Sequence, residues 1–195
     1  MGDARSFRGG LVTAVLAAVV LGGVPAAAQT EDELAAARKL FAEAVADQDA
    51  RLYETALDKF RKVAAVKDTA NVRFRVASCL EGLGRRPEAL ASYEAAERLG
   101  AGDPGAADVV RAATERATQI DHALPRLTVL LPANAPAGTV VQVDATAVDP
   151  ASQPAGMPLE PGQHTVSATA PGDLPFTTGV TLAEGARVTL TVTLQ

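Results

Sequence analysis

The chain has 195 residues, a formal net charge of −5, and an aromatic content of 4% with no Trp. That length holds one medium domain or two small ones, and its cores must be built from Ala, Val and Leu. The acidic balance argues against nucleic acid, whose phosphates demand a basic face, and against electrostatic binding to anionic lipid.

The first 28 residues stand apart. "MGDARSFRGG" carries Arg5 and Arg8, and an apolar run of 14 residues follows from Leu11 to Val24. Pro25 and "AAAQ" come next, with Ala26 and Ala28 at the small-residue positions of a signal-peptidase site. Crossing a bilayer takes ~20 apolar residues. The pattern predicts a secretory signal peptide over residues 1–28, cut between Ala28 and Gln29. The alternative is an uncleaved segment that anchors the chain in a membrane. Gln29 stands where a lipoprotein would need Cys, so no lipid anchor is expected. Removing Asp3, Arg5 and Arg8 leaves 16 basic and 22 acidic side chains.

Helical periodicity begins at "TEDELAAARKLFAEAV", where Thr30 and Glu33 have the spacing of a capping box. Leu34, Phe41, Ala44 and Val45 continue as a stripe. A second helix is predicted from about Leu52, with Tyr53, Ala56, Leu57, Phe60, Val63 and Ala64 at three- and four-residue steps. A third carries Val72, Val76, Leu80 and Leu83 and stops at Gly84. A fourth starts at Pro87, a favoured first helical residue, and ends at Gly100. Cys79 is the single cysteine, so no internal disulfide is possible, and its apolar neighbours predict a buried, inert thiol.

The helices repeat. Ala56 with Phe60 matches Ala89 with Tyr93 at an offset of 33, and a period near 34 with paired helices points to a helical-repeat array. In the frame from Ala70 to Asp103, Ala77, Leu80, Gly84, Ala89, Tyr93 and Ala96 resemble the small, large, turn, small, aromatic and small positions of the tetratricopeptide repeat (TPR). The resemblance covers residues 37–103 or so. A first repeat, about Ala37 to Thr69, has Asp47 where a large residue is usual, and Ala101 replaces the family's proline in the second. A fifth helix is predicted from Asp103-Pro104 to Leu124. Val110, Ala113, Ala117, Ile120 and Leu124 form a heptad seam. The seam serves either a capping helix packed on the fourth or a dimer contact.

From Leu127 the hydrophobic period becomes two. Val141 and Val143 alternate with polar neighbours, as do Val166, Ala168 and Ala170, then Phe176, Thr178, Val180 and Leu182, then Val188, Leu190, Val192 and Leu194. Lysine stops at Lys67, and Arg187 is the only Lys or Arg after Arg126. Pro125 disfavours helix in the residue before it. A joint near Leu124-Pro125 is therefore expected, with residues 29–124 a helical-repeat domain with a capping helix and 125–195 a small antiparallel β-sandwich, an α+β chain overall.

The second part resembles PEGA domains, small β-sandwich modules of cell-surface and periplasmic proteins. "RLTVLLP" looks like the first strand, "PAGTVVQVD" the naming turn with its following strand, and "LEPGQHTVSATAPG" the most recurrent stretch. "GVTLAEGARVTLTVTL" is similar to the final hairpin. Ala145 stands where the family has glycine, so this hairpin is expected to turn differently, through the longer "ATAVDPASQPAG" loop. The resemblance implies a scaffolding or cell-envelope role without catalysis.

No catalytic set is expected. Ser167, His164 and Asp173 have the residue types of a triad, but residues three apart on a strand face opposite sides of the sheet. Two His and one Cys, far apart in sequence, do not suggest a metal site, and no Gly-rich loop leads from a strand into a helix, so no cofactor is expected. The candidate partner-binding residues are Asn71, Arg75 and Ser78, spaced to share one side of the third helix. In the TPR family that side lines the peptide groove, so Arg75 would meet a carboxylate and Asn71 a peptide backbone. The alternative is a solvated polar face.

The functional expectation is a non-catalytic, exported adaptor of the periplasm or cell envelope. It would bind a protein partner, an acidic or C-terminal peptide segment, through the repeats, and an envelope component through the sandwich. The alternative is a peptidoglycan- or polysaccharide-binding protein acting through the sandwich, against which the scarcity of aromatics there counts.

Overall fold

Helices give way to strands at Pro125 in the computed structural model, which describes residues 30–172 and 174–194. Residues 1–28, the junction at Gln29 and Asp173 lie outside the described residues. The helices are α1 (Glu31–Asp49), α2 (Tyr53–Val66), α3 (Ala70–Gly82), α4 (Arg86–Gly100) and α5 (Ala107–Ala123), the last preceded by a 3-10 turn at Pro104–Ala106. The capping box forms as expected: Thr30 Oγ1 accepts the Glu33 N–H and the Glu33 carboxylate accepts the Thr30 N–H. Thr69 caps α3 through the Val72 N–H.

Each helix packs on the next in chain order, and α5 lies on α4 with a lighter contact to α3. The heptad seam of α5 is spent inside the chain. Ala113 and Leu124 are fully buried, with Ile120 nearly so, and a Cβ on Gly100 of α4 would fall 2.5 Å from Val110 Cγ2. Ala113, Ala117, Ile120 and Leu124 of that seam are thus covered within the chain and are not free for a second copy.

The repeat is visible in detail at an offset of 33. Phe41 meets Phe60 edge-on with ring centroids 5.4 Å apart at 65°. Phe74 meets Tyr93 in the same way, at 5.4 Å and 64°. Ala44 and Ala77 are both fully buried, as are Ala56 and Ala89, because small residues let the helix axes approach. At the departure, Asp47 is half-buried with its Oδ2 buried, and Lys59 Nζ sits 2.8 Å from that oxygen.

The turn after the first helix of each repeat also matches. Arg51 has φ 60 and Gly84 has φ 73. A left-handed residue with a Cβ costs ~1 kcal/mol, which glycine avoids. Arg51→Gly should therefore raise stability by up to about 0.5 kcal/mol, after the entropy of a glycine in the unfolded chain is deducted. Urea titration followed by circular dichroism measures this, and a loss of stability would show that the Arg51 side chain supports the turn.

The strands are β1 (Arg126–Leu130), β2 (Val140–Val143), β3 (Thr146–Val148), β4 (Met157–Pro158), β5 (Gly162–Thr169), β6 (Phe176–Leu182) and β7 (Arg187–Thr191). They form two sheets, β4-β1-β7 and β3-β2-β5-β6, whose inner faces share one core that includes Leu127, Val141, Val166 and Leu182. The pairings are antiparallel except for β1 with β7, which run parallel over five residue pairs. The α+β architecture is as expected, with that one parallel pair added.

The β2–β3 hairpin corrects one expectation. It does not turn through the longer loop but closes tightly on Asp144 and Ala145, with φ 50 and 65. Such turns favour Asn or Asp followed by Gly. Here Asp144 is pinned: its N–H donates to Thr165 O, and its carboxylate accepts the Thr165 N–H, both at 2.9 Å, and meets His164 Nδ1 at 2.6 Å.

Main-chain bonds tie the helices to the sandwich. Gly185 N–H donates to Ala123 O at 2.7 Å, and Leu159 N–H donates to Pro125 O at 3.1 Å. Arg187 Nη1 donates to Leu124 O at 3.0 Å, and Arg126 pairs with Asp121. At the start of α4, the Glu160 carboxylate accepts the Arg86 N–H at 2.6 Å and Arg86 Nε at 2.9 Å, while Glu184 takes Arg86 Nη1 at 3.2 Å.

Candidate functional site

The helical half carries an open groove of about 390 Å³ where the start of α1, the end of α2 and the start of α3 meet. Leu34, Ala37 and Phe41 come from one side of α1, because steps of three and four residues return to the same helical face. Val63 and Val72 complete the apolar floor, and Asn71 and Thr69 form the wall at the α3 end. Arg38 and Lys67 stand at the rim, both exposed and neither in an ion pair among the described residues. Their neighbour Asp68 is already neutralised by Arg73, 2.6 Å away. The N-terminus of α3, whose partial charge is positive, opens on the same place. A second hollow of about 300 Å³ lies on the far side of Thr69 and Asn71, against Leu99 and Asp103.

The three residues singled out from sequence end in three different settings. Asn71 is exposed and lines both hollows. Arg75 is half-buried and turned toward α1, where its Nη1 donates to Gln48 Oε1 at 3.0 Å; its Nε is buried with no partner among the described residues. Ser78 faces α4, with its Oγ 3.2 Å from Tyr93 Oη. Tyr93 in turn donates to Glu81 at 3.1 Å, and Arg116 of α5 pairs with the same carboxylate. Burial, only partly offset by the Ser78 bond, raises the Tyr93 pKa. Ser78 thus belongs to a polar chain that joins α3, α4 and α5.

Arg38 and Lys67 were not singled out from the sequence. Arg38 lies between Leu34 and Phe41 on the stripe, a position open to inspection, but Lys67 follows the end of α2 and reaches the groove only because α2 packs between α1 and α3. Cys79 is fully buried, and desolvation pushes its thiol up to about 11, against a smaller opposing effect of Arg75.

In the sandwich, His164 lies on the inner face of β5 with Val166 and Ala168, whereas Ser167 points outward opposite Gln142 and Thr177. The two are not within reach of each other. His164 Nδ1 is 2.6 Å from Asp144 Oδ2 and Nε2 is 2.7 Å from Glu160 O. Among the described residues no three His, Cys, Asp or Glu side chains come together as a metal site would need, and no helix is long and apolar enough to cross a membrane.

The class defined by these features is a helical-repeat region followed by a β domain. Neither a protein-family model nor a curated protein matches the chain.

Proposed function

We propose that the protein is a non-catalytic, exported adaptor of the cell envelope, built from TPR-like repeats (residues 29–124) and a PEGA-like sandwich (residues 125–195). The repeats would dock a short acidic or C-terminal peptide of a partner protein. The observation that carries this reading is the groove, with its apolar floor, the Asn71 amide on its wall and two cations on its rim that form no ion pair among the described residues. An otherwise acidic chain places unneutralised positive charge beside an apolar trough, an arrangement that suits a peptide with one or two apolar anchors and a carboxylate. In this reading Asn71 bonds the peptide backbone and Arg38 and Lys67 supply the charge, while Arg75, held by Gln48 away from the groove lining, takes no direct part.

Fluorescence anisotropy with synthetic peptides tests it, using C-terminal decamers of envelope proteins in acid and amidated forms. The carboxylate forms should bind better, and Arg38→Glu with Lys67→Glu should weaken binding at least ~10-fold, since a charge-assisted contact is worth about 1.5–3 kcal/mol. Equal affinity for the charge-reversed variant would remove the groove from the account. The sugar-binding alternative is less well supported: Phe176, the single Phe, Tyr or Trp after Arg126, is partly buried against the sandwich core, and no second ring stands beside it in the sequence to form a stacking platform.

A further inference from the structure

Strand β6 is the outer strand of its sheet and, at seven residues, longer than the other outer strands β3, β4 and β7. The bonds between Asp144 and Thr165 show that odd-numbered residues of β5 turn their main-chain groups toward β2. Even-numbered ones therefore serve β6, where His164 lies opposite Val180 and Val166 opposite Thr178. It follows that Thr177, Gly179 and Thr181 point their N–H and C=O groups outward, and no described residue takes them. Exposed edges of this kind are normally blunted by charge, proline or a bulge. "FTTGVTL" has none of these.

The strand also matches itself when reversed about Gly179. Thr178 then meets Val180, a side chain of nearly the same shape, Thr177 meets Thr181, and Phe176 meets Leu182. We propose that the β6 edge is a homodimer interface, in which two copies of this chain pair antiparallel about a twofold axis at Gly179 and join their sheets into one. The outward groups of Thr177, Gly179 and Thr181 fall in register with those of the second copy, so each finds a partner. Threonines directly opposite one another are a favourable cross-strand pair. Both copies carry net negative charge, but no charged residue lies on the strand, so close approach is not opposed there. Leu174, 69% exposed and just before the strand, would be covered in the same contact. One pair of strands makes a small interface, so the dimer should be weak, with a Kd on the order of 100 µM.

Sedimentation equilibrium of the purified protein from ~10 µM to ~1 mM tests the pairing. The mass should rise from one chain to two. Gly179→Pro removes the central outward N–H, and it should hold the mass at one chain while leaving the circular dichroism spectrum unchanged. Should that variant fold poorly, Gly179→Cys gives a second measurement. Directly opposite residues lie within disulfide reach, so mild oxidation should crosslink it, whereas Thr165→Cys, on the same face but one strand inward, should stay uncrosslinked. Cys79 is buried and does not compete. A one-chain mass at ~1 mM, a dimer that survives in folded Gly179→Pro, or equal crosslinking at both positions would overturn the proposal.

Discussion

Phe60→Ala should destabilise the protein by about 3–5 kcal/mol, and Tyr93→Ala by a similar amount. The two rings hold equivalent places in successive repeats and are 0% and 1% exposed. Each fills the space between its own helix and the preceding one, edge-on to Phe41 or Phe74. Truncation leaves a cavity that the surrounding alanines cannot fill, because Ala44, Ala56, Ala77 and Ala89 already bring the helices to close contact. Tyr93→Phe separates packing from hydrogen bonding. It keeps the ring and removes the bonds to Ser78 and Glu81. Glu81 retains Arg116, so the cost should be only about 1 kcal/mol. Denaturant unfolding of the three variants measures the series. Losses under ~1 kcal/mol for both alanine variants would show that the aromatic positions do not hold the repeats together.

The second large effect is expected at His164, whose replacement by Leu should cost ~2 kcal/mol near pH 6. Both ring nitrogens face acceptors, a carboxylate and a carbonyl, and only the doubly protonated imidazolium can donate to both. Burial opposes that charge, yet the bond to Asp144, the Glu160 carbonyl and the nearby carboxylates of Asp144 and Glu160 outweigh it, and the pKa of His164 is raised. Burial likewise opposes the Asp144 carboxylate, but the bonds from His164 and the Thr165 N–H hold its pKa below the ordinary value. The two shifts describe one interaction and are counted once. The carboxylate is about half exposed, so solvent screens it, which places the cost near the lower end of the charged-bond range.

The sign follows from the directions. The histidine contribution is full below the ordinary value of 6.5 and is lost as pH rises through the higher folded value. The aspartate contribution is full above 3.8 and is lost as pH falls through the lower folded value. The pair should therefore stabilise the fold most between these two ordinary values. Thermal melts should show the wild type losing stability on the alkaline side of that window. His164→Leu should lack that alkaline step. An identical step in the variant would assign it to other groups. Glu160 joins the two places: its carbonyl meets His164 and its carboxylate accepts the Arg86 N–H at the start of α4.

Much of this architecture is local and therefore legible along the chain. Thr30 and Glu33 mark a helix start because capping is settled within one turn. The offset between Phe60 and Tyr93 marks a repeat because each ring serves the same space in its own helix pair. Alternation from Val166 to Ala168 marks a strand with one buried face because successive side chains point oppositely. The same rule separates His164 from Ser167. The site was less legible. The periodicity put Asn71, Arg75 and Ser78 on one side of α3, but it carried no information on which neighbours would meet that side.

Those neighbours are set by contacts between residues far apart in the chain. Arg75 finds Gln48, 27 positions away, and Ser78 finds Tyr93 across a helix pair. Lys67 reaches the rim of the groove because α2 ends beside both α1 and α3. The parallel match of β1 with β7, the order of strands in each sheet and the clasp of Arg86 by Glu160 and Glu184 likewise have no local signature. The sequence by itself determined the helices, the strands β1, β2, β5, β6 and β7, the repeat and the place where one period yields to the other, since each depends on residues within a few turns, whereas the short strands β3 and β4 lie where it shows no such alternation. Only the tertiary structure decided which polar groups are consumed by neighbouring elements and which, such as the Arg38 and Lys67 cations and the outer groups of β6, find no partner among the described residues, because packing brings together residues that the chain order keeps apart.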